Sequence, residues 1–240
     1  MEELAGQVDA LVGQRDFAGA EALLLSRVEE ARREGWPGIE LSICSELMGF
    51  YRQRLDRDGY YTARDRAFAL LSGMSMDPAA KGTVLVNAAT GMTAFGDAAG
   101  ALPIYQEAEI LYRRALGGAD HRLASLYNNM AFAYAGLGDV RQAERHIRMA
   151  MDVLAKLPHH PDMGTSWLNL AQLYADIDSA DPRIEDCLAN AMACFDDPEA
   201  VWDGYYAHTV RKCAPGFAAL GRTAEARDLE ERAEIIYAGT

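Results

Sequence analysis

Hydrophobic residues recur along the chain at intervals of three and four, which is the spacing of one face of an α-helix. The clearest example is the stretch YNNMAFAYAGLGDVRQAERHIRMAMDVL, residues 127–154. It predicts two amphipathic helices joined by a turn at Gly138-Asp139, because Gly ends helices readily and Asp is a good N-cap. Small Ala131 and Ala143 would let the two helix axes approach closely. A helix pair with two apolar faces cannot bury both by itself, so neighbouring pairs must stack on it.

The same pattern occurs six times along the chain. Aligned on Ala131, the small-residue site of the first helix falls at Val8, Met48, Ala89, Ala131, Ala171 and Ala214. The intervals are 40, 41, 42, 40 and 43 residues, and an array of one structural unit keeps so steady a period. The sequence therefore predicts an all-α fold of six helix pairs in a single repeat domain, residues 1–240. The predicted repeats are approximately 1–35, 39–74, 80–117, 121–157, 162–196 and 200–240.

The stretch 127–154 resembles a tetratricopeptide repeat, because its aromatic, Met-Ala, Tyr, Gly-Asp, Ala, Ile and Ala positions are filled at the spacing of that family. The segments ADHRLASLYNNMA and HHPDMGTSWLNLAQLY are similar to the longer repeat subtype of kinesin light chains. The resemblance implies a right-handed α-solenoid whose first helices line a concave surface. It also implies a non-enzymatic protein that binds a peptide or an extended protein segment there. The chain departs from the family in lacking a proline directly after the second helix of this stretch.

Three other residues depart from the repeated pattern. Tyr60 occupies a second-helix position where a small residue is expected, which predicts a local change in geometry. Pro103 and Pro215 lie inside predicted helices and are expected to bend them, because proline removes a backbone hydrogen bond.

The charge balance excludes some classes of partner. The chain has 23 Lys and Arg against 36 Asp and Glu, a formal net charge of −13. Without a basic cluster it is not expected to bind nucleic acid, which requires Lys and Arg to displace counterions. No apolar run approaches the ~18 residues that a membrane span needs, and the acidic start MEELAGQVDA does not have the pattern of a targeting segment. We therefore expect a soluble cytoplasmic protein without a membrane partner.

Residues that carry catalytic or metal chemistry are sparse. The four cysteines do not form a zinc-binding pattern, and we expect them to be buried free thiols. The pair His159-His160 lies in a loop bounded by prolines, where we expect exposed side chains rather than metal ligands. The segment DIDSAD lacks the central Gly and closing Glu of a calcium loop. Because no phosphate-binding loop or nucleophile motif is present, we expect no enzyme activity, no cofactor and no metal.

Asn recurs at one equivalent position of three successive first helices, as Asn87, Asn129 and Asn169. Asn is a poor helix former, and its carboxamide offers a donor and an acceptor to a peptide backbone. The family resemblance implies that such a row clamps an extended peptide. The alternative is that these side chains bond to neighbouring helices and only stabilise the array.

The predicted peptide-binding face comprises Glu46, Asn87, Thr90, Asn128, Asn129, Phe132, Asn169, Gln172, His208, Arg211 and Lys212. Its cationic end, at the last three of these, suggests the capture of an acidic group such as a terminal carboxylate. The alternative is that Arg211 and Lys212 pair with acidic side chains of the adjoining second helices.

The identity of the partner is open at this stage. An unknown protein or peptide is expected, while the alternatives are a structural scaffold without a groove ligand and a bacterial peptide-sensing regulator. A homodimer through the last repeat is also expected, because the final helix carries apolar residues that no later element covers. These residues are Leu229, Ile235, Ile236 and Tyr237.

Overall fold

The described part of the chain, residues 2–158 and 160–239 of a computed structural model, is built from twelve α-helices and contains no strand. The helices are α1 (Glu2–Gly13), α2 (Phe17–Arg33), α3 (Pro37–Arg54), α4 (Arg57–Gly73), α5 (Pro78–Ala94), α6 (Ala98–Ala115), α7 (His121–Gly136), α8 (Val140–Leu154), α9 (Asp162–Ile177), α10 (Arg183–Phe195), α11 (Gly204–Ala219) and α12 (Thr223–Gly239). Each odd-numbered helix packs on the next to form a pair. The six predicted helix pairs are thus confirmed. No helix within the described ranges is long and apolar enough to span a membrane.

The chain divides into two compact units, one ending at Ala115 and the other beginning at Leu116. The first unit contains α1–α6, and in it α3 contacts α5 as well as its partner α4. The second unit contains α7–α12. There α9 contacts both α7 and α11, so that three first helices lie side by side.

The turns inside the pairs follow the predicted chemistry. Asp139 caps α8 by accepting a hydrogen bond from the backbone N–H of Gln142 at 3.0 Å. Gly138 before it has φ +77°, a left-handed conformation that glycine adopts without steric cost. In the first two pairs Arg15 and Leu55 take this conformation instead, at φ +60° and +57°. Non-glycine residues are uncommon there, so these two turns are less favourable versions of the same connection.

The predicted packing register agrees with the burial of the small-residue positions. Five of the six positions are buried, with Ala131 only 3% exposed, and the sixth is partly exposed. The buried five are Met48, Ala89, Ala131, Ala171 and Ala214. The two helices with an interior proline, α6 and α11, continue through Pro103 and Pro215.

The large side chain of Tyr60 fits because the residue that faces it on the neighbouring helix pair is a glycine, Gly91. Tyr60 is fully buried, and its hydroxyl donates a hydrogen bond to the carbonyl of Ala88. A methyl group at Gly91 would lie 2.6 Å from the Tyr60 hydroxyl oxygen and would overlap its ring. Helix α4 runs unbroken through this position. The absence of a Cβ at Gly91 therefore makes room for the tyrosine ring between α4 and α5.

Candidate functional site

A groove of about 330 Å³ runs over the first helices of the second unit. Helix α7 contributes four lining residues, α9 five and α11 six, so the surface is formed by the face that these helices turn away from their pair partners. The lining residues are Ser125, Asn128, Asn129, Phe132, Asp162, Thr165, Leu168, Asn169, Gln172, Tyr205, His208, Thr209, Lys212, Cys213 and Gly216. The equal helical offsets of the repeats bring these side chains together, and the lining contains both polar and apolar residues.

Two lining residues of α7 are available for contacts. Asn129 is partly buried, and its carboxamide forms no hydrogen bond with the residues the structure describes. Phe132, one turn further along, leaves 47% of its surface exposed. An amide without a partner beside an exposed aromatic ring can hold a peptide unit and an adjoining apolar side chain.

The other asparagines of the groove bond to each other. Asn169 Nδ2 donates to Asn128 Oδ1 at 3.1 Å, and Asn128 Nδ2 donates to Ser166 Oγ at 2.9 Å. The Ser166 hydroxyl in turn donates to the Asp162 carbonyl at 3.0 Å. Asn128, Ser166 and Asn169 are all buried. This chain of hydrogen bonds joins α7 to α9. Asn169 thus forms the kind of bond between neighbouring helices that the structural alternative predicts. Ligand contact by Asn128 and Asn169 remains a prediction.

The C-terminal half of the groove depends on a glycine. A Cβ built on Gly216 would lie 2.6 Å from Gln172 Nε2 and 2.9 Å from a methyl carbon of Leu168. Only glycine therefore lets the Gln172 amide lie this close to α11. Gln172 is partly exposed and keeps its polar end at the groove.

The three predicted cationic residues do not all face the groove. His208 and Lys212 are exposed and line it. Arg211 lies outside the lining, and its guanidinium stacks over the Tyr237 ring at 4.9 Å from the centroid. Lys212 forms no ion pair with any residue in the described ranges. Its ammonium group is therefore free to interact with an acidic ligand.

The cysteines have no reactive character in this arrangement. Cys44, Cys187 and Cys213 are buried, Cys194 is partly buried, and all four are free thiols, as expected. Burial raises the pKa of the Cys213 thiol at the groove to about 11. A thiol with so high a pKa is a poor nucleophile at neutral pH.

The remaining predicted residues belong to the first unit. Glu46 on α3 and Asn87 on α5 are exposed. Desolvation and, secondarily, the Asp9 carboxylate raise the pKa of Glu46. Thr90 accepts a hydrogen bond from the Tyr105 hydroxyl at 3.2 Å and donates to the Val86 carbonyl at 2.8 Å, so its hydroxyl already has partners within the unit.

A cluster of ionisable side chains at the N-terminal ends of α7, α9 and α11 is absent from the predicted site. His160 contacts His121 and Asp162, and its side chain is only 19% exposed, so the expectation that it is solvent-exposed was wrong. His159 lies outside the described residues. Burial lowers the pKa of His160, with His121 adding to the decrease and Asp162 opposing it. The Tyr205 hydroxyl donates to Asp162 Oδ2 at 2.9 Å, which fixes the carboxylate.

Comparisons with known proteins agree with the architecture. Residues 81–155 and 122–193 match the family described as tetratricopeptide repeat. The structure of BtubC (BKLC) from P. vanneervenii is similar at a TM-score of 0.61 and 19% identity, covering 94% of this chain and 91% of that one. A Podosopora anserina putative kinesin light chain with nearly identical TPR-like repeats is similar at a TM-score of 0.55 and 18% identity, covering 83% and 95%. The comparison with curated proteins finds no match.

These similarities confirm the predicted fold class, an α-solenoid of tetratricopeptide-like helix pairs. At this level of identity the solved structures show the fold alone. Repeats of this family generally serve in protein–protein interaction.

Proposed function

We propose that this tetratricopeptide-repeat chain is a non-catalytic binding protein that holds an extended peptide or protein segment in the groove over α7, α9 and α11. The observation that carries the proposal is the Asn129 carboxamide, which faces the groove without a hydrogen-bond partner among the described residues. A bound peptide unit would offer this carboxamide a backbone donor and a backbone acceptor in place of solvent.

The neighbouring residues define the chemistry of the ligand. Phe132 offers an apolar surface next to Asn129, while Lys212 offers a positive charge on the opposite wall of the groove. A segment with an apolar side chain and an acidic group, either a terminal carboxylate or an Asp or Glu side chain, fits both. His208 lines the same wall and would add to the attraction when protonated.

A displayed random-peptide library is the probe for this proposal. Peptides recovered on the purified chain would be measured by calorimetry against Asn129→Ala, with Asn190→Ala as the matched control. Asn190 is an exposed asparagine on α10, the second helix of its pair, and among the described residues its side chain bonds only to the Asp186 carbonyl. Asn129→Ala should weaken binding by ~1–3 kcal/mol, the cost of leaving a polar group unpaired, while the control should not change it.

The charge contribution is tested by reversing Lys212. Lys212→Glu should weaken binding of an acidic peptide, more strongly at low salt than at high salt. The matched control is Arg145→Glu, which reverses an exposed charge on α8, the second helix of its pair. Unchanged affinity in both Asn129→Ala and Lys212→Glu would favour a scaffold without a groove ligand.

A peptide-sensing regulator is distinguished by the response to its ligand. Such a protein changes conformation when its peptide binds, so amide hydrogen exchange would change far from the groove as well as in it. Protection confined to α7, α9 and α11 would instead fit a passive binding module.

A further inference from the structure

Two imidazoles and a carboxylate meet where three separate segments of the second unit converge. His121 is the first residue of α7, His160 belongs to the connection between α8 and α9, and Asp162 is the first residue of α9. One potential ligand atom from each lies within 4.8 Å of the other two. His160 Nδ1 is 3.6 Å from Asp162 Oδ2. The three side chains are thus close enough for modest rotations to direct them at one point.

The cluster is held in place rather than exposed on the surface. The side chain of Asp162 is 12% exposed and that of His160 is 19% exposed. The Tyr205 hydroxyl lies 2.9 Å from Asp162 Oδ2 and 3.5 Å from His121 Nδ1. A hydrogen bond from a neighbouring group to a ligating carboxylate is what commonly orients metal ligands.

An open cleft gives access to the two imidazoles. It has a volume of about 400 Å³ and adjoins His121, His160 and Tyr205. Two further acidic residues, Glu199 and Asp203, line the same cleft and make it attractive to cations. The cleft leaves room for water beside the two imidazoles.

We propose that His121, His160 and Asp162 form a binding site for a divalent transition-metal ion of the zinc class, with water completing the coordination. Imidazole nitrogen suits Zn²⁺, Co²⁺, Ni²⁺ and Cu²⁺, whereas Mg²⁺ and Ca²⁺ prefer oxygen ligands alone. Three protein ligands and one water are a common zinc arrangement. The ion would tie the start of α7 to the start of α9. This site does not depend on the proposed peptide binding.

The experiment uses the full chain without a polyhistidine tag, stripped of metal with a chelator. Calorimetric titration with Zn²⁺ should show one site per chain, and titration with Co²⁺ should give the visible absorption of a four-coordinate site. Mg²⁺ and Ca²⁺ should not compete at millimolar concentration. Zn²⁺ should also raise the melting temperature, because it binds the folded state.

Two variants test the assigned ligands. Asp162→Asn keeps an oxygen acceptor for the Tyr205 hydroxyl but loses the charge, and His121→Ala removes the ligand of α7 while leaving the sequence pair His159-His160 intact. Each should weaken Zn²⁺ binding about tenfold or more, since loss of even a neighbouring supporting group costs about that much. His208→Ala is the matched control, because this exposed histidine lies outside the cluster. It should bind Zn²⁺ like the parent.

Other outcomes would overturn the proposal. Equal Zn²⁺ affinity in the parent and in both ligand variants would mean that the metal binds elsewhere. No Zn²⁺ binding by the parent would mean that the three proposed ligands and Tyr205 form only a hydrogen-bonded cluster. In that case His121→Ala would lower the melting temperature equally with and without Zn²⁺.

Discussion

The asparagines of the groove allow a matched comparison, because two equivalent residues of successive repeats have different surroundings. Asn169 on α9 donates its amide to the buried Asn128, whereas Asn129 on α7 has no partner within the described ranges. Asn169→Ala should therefore reduce the stability of the fold. Asn129→Ala should leave the fold intact and weaken only ligand binding.

The magnitudes follow from burial and helix propensity. Asn169 is 8% exposed and Asn128 is 6% exposed, so removing the Asn169 amide leaves a buried acceptor unpaired at a cost of ~1–3 kcal/mol. Alanine recovers up to ~0.7 kcal/mol as the better helix former. We expect Asn169→Ala to lower the free energy of unfolding by about 1–2 kcal/mol. Asn129→Ala has only the propensity gain, so its stability should equal or exceed that of the parent.

Equilibrium unfolding in urea, followed by circular dichroism and tryptophan fluorescence, measures both changes. Trp167 and Trp202 both lie in the second unit, so they report on the region that contains the mutations. Because a chain of two compact units can unfold in more than one step, amide hydrogen exchange in α7 and α9 provides a local check. Equal destabilisation by the two variants would refute the distinction, since both residues would then be structural.

Three further predictions concern packing, pH and association. Gly91→Ala should destabilise the parent by ~1–3 kcal/mol through overpacking, but should be neutral or stabilising in a Tyr60→Ala background. Urea melts of the parent, the two single variants and the double variant measure this. An equal cost in both backgrounds would contradict the packing of Tyr60 against Gly91. Hydrogen bonds from Arg66 at 2.6 and 2.8 Å lower the pKa of buried Glu40. The pair therefore stabilises the fold fully at a pH above the ordinary glutamate pKa of about 4.3. This contribution is lost as the pH falls through the lowered pKa of Glu40. Melts across pH should show that acid sensitivity in the parent and less of it in Glu40→Gln; identical pH profiles would contradict it. Ile235 on α12 is 67% exposed. A homodimer through this helix should give a light-scattering mass above the 26.2 kDa of the monomer, and Ile235→Glu should return the mass to that of the monomer. A parent that is monomeric at high micromolar concentration would exclude the homodimer.

The fold was accessible from the sequence because its signals are local and repeated. The period of about 41 residues and the small residue at Ala131 and its equivalents set both the helices and their packing register. The same offsets placed Asn129, Phe132 and Gln172 on one surface. Repetition thus converts a one-dimensional pattern into a predicted groove.

Features that depend on contacts between repeats were not accessible in the same way. Tyr60 stood out as too large, but the glycine that accommodates it lies 31 residues later, at Gly91. Of the four apolar residues singled out on α12, Leu229 is fully buried in the core of the second unit. Ile235 and Tyr237 are exposed as expected. Which side of the last helix remains open depends on how the pair docks.

The histidine cluster carried a signal that the repeat period could have revealed. His121, Asp162 and Tyr205 lie 41 and 43 residues apart, close to the repeat interval, and each falls at or next to the start of a first helix. Parallel stacking of those helices brings such positions together. The loop residue His160 has no equivalent in the pattern, so the complete set required the structure.

The second unit arranges different chemistry in layers along its first helices. The imidazoles and the Asp162 carboxylate lie at the N-terminal ends, the asparagines in the middle, and Phe132 and Gln172 toward the C-terminal ends. Asp162 and Gln172 are ten residues apart, or about 15 Å at the rise of an α-helix. Mutations at such separations usually act independently. His121 is a proposed metal ligand that does not line the groove, whereas Asp162 does. Loss of Zn²⁺ binding in His121→Ala should therefore leave peptide affinity near that of the parent.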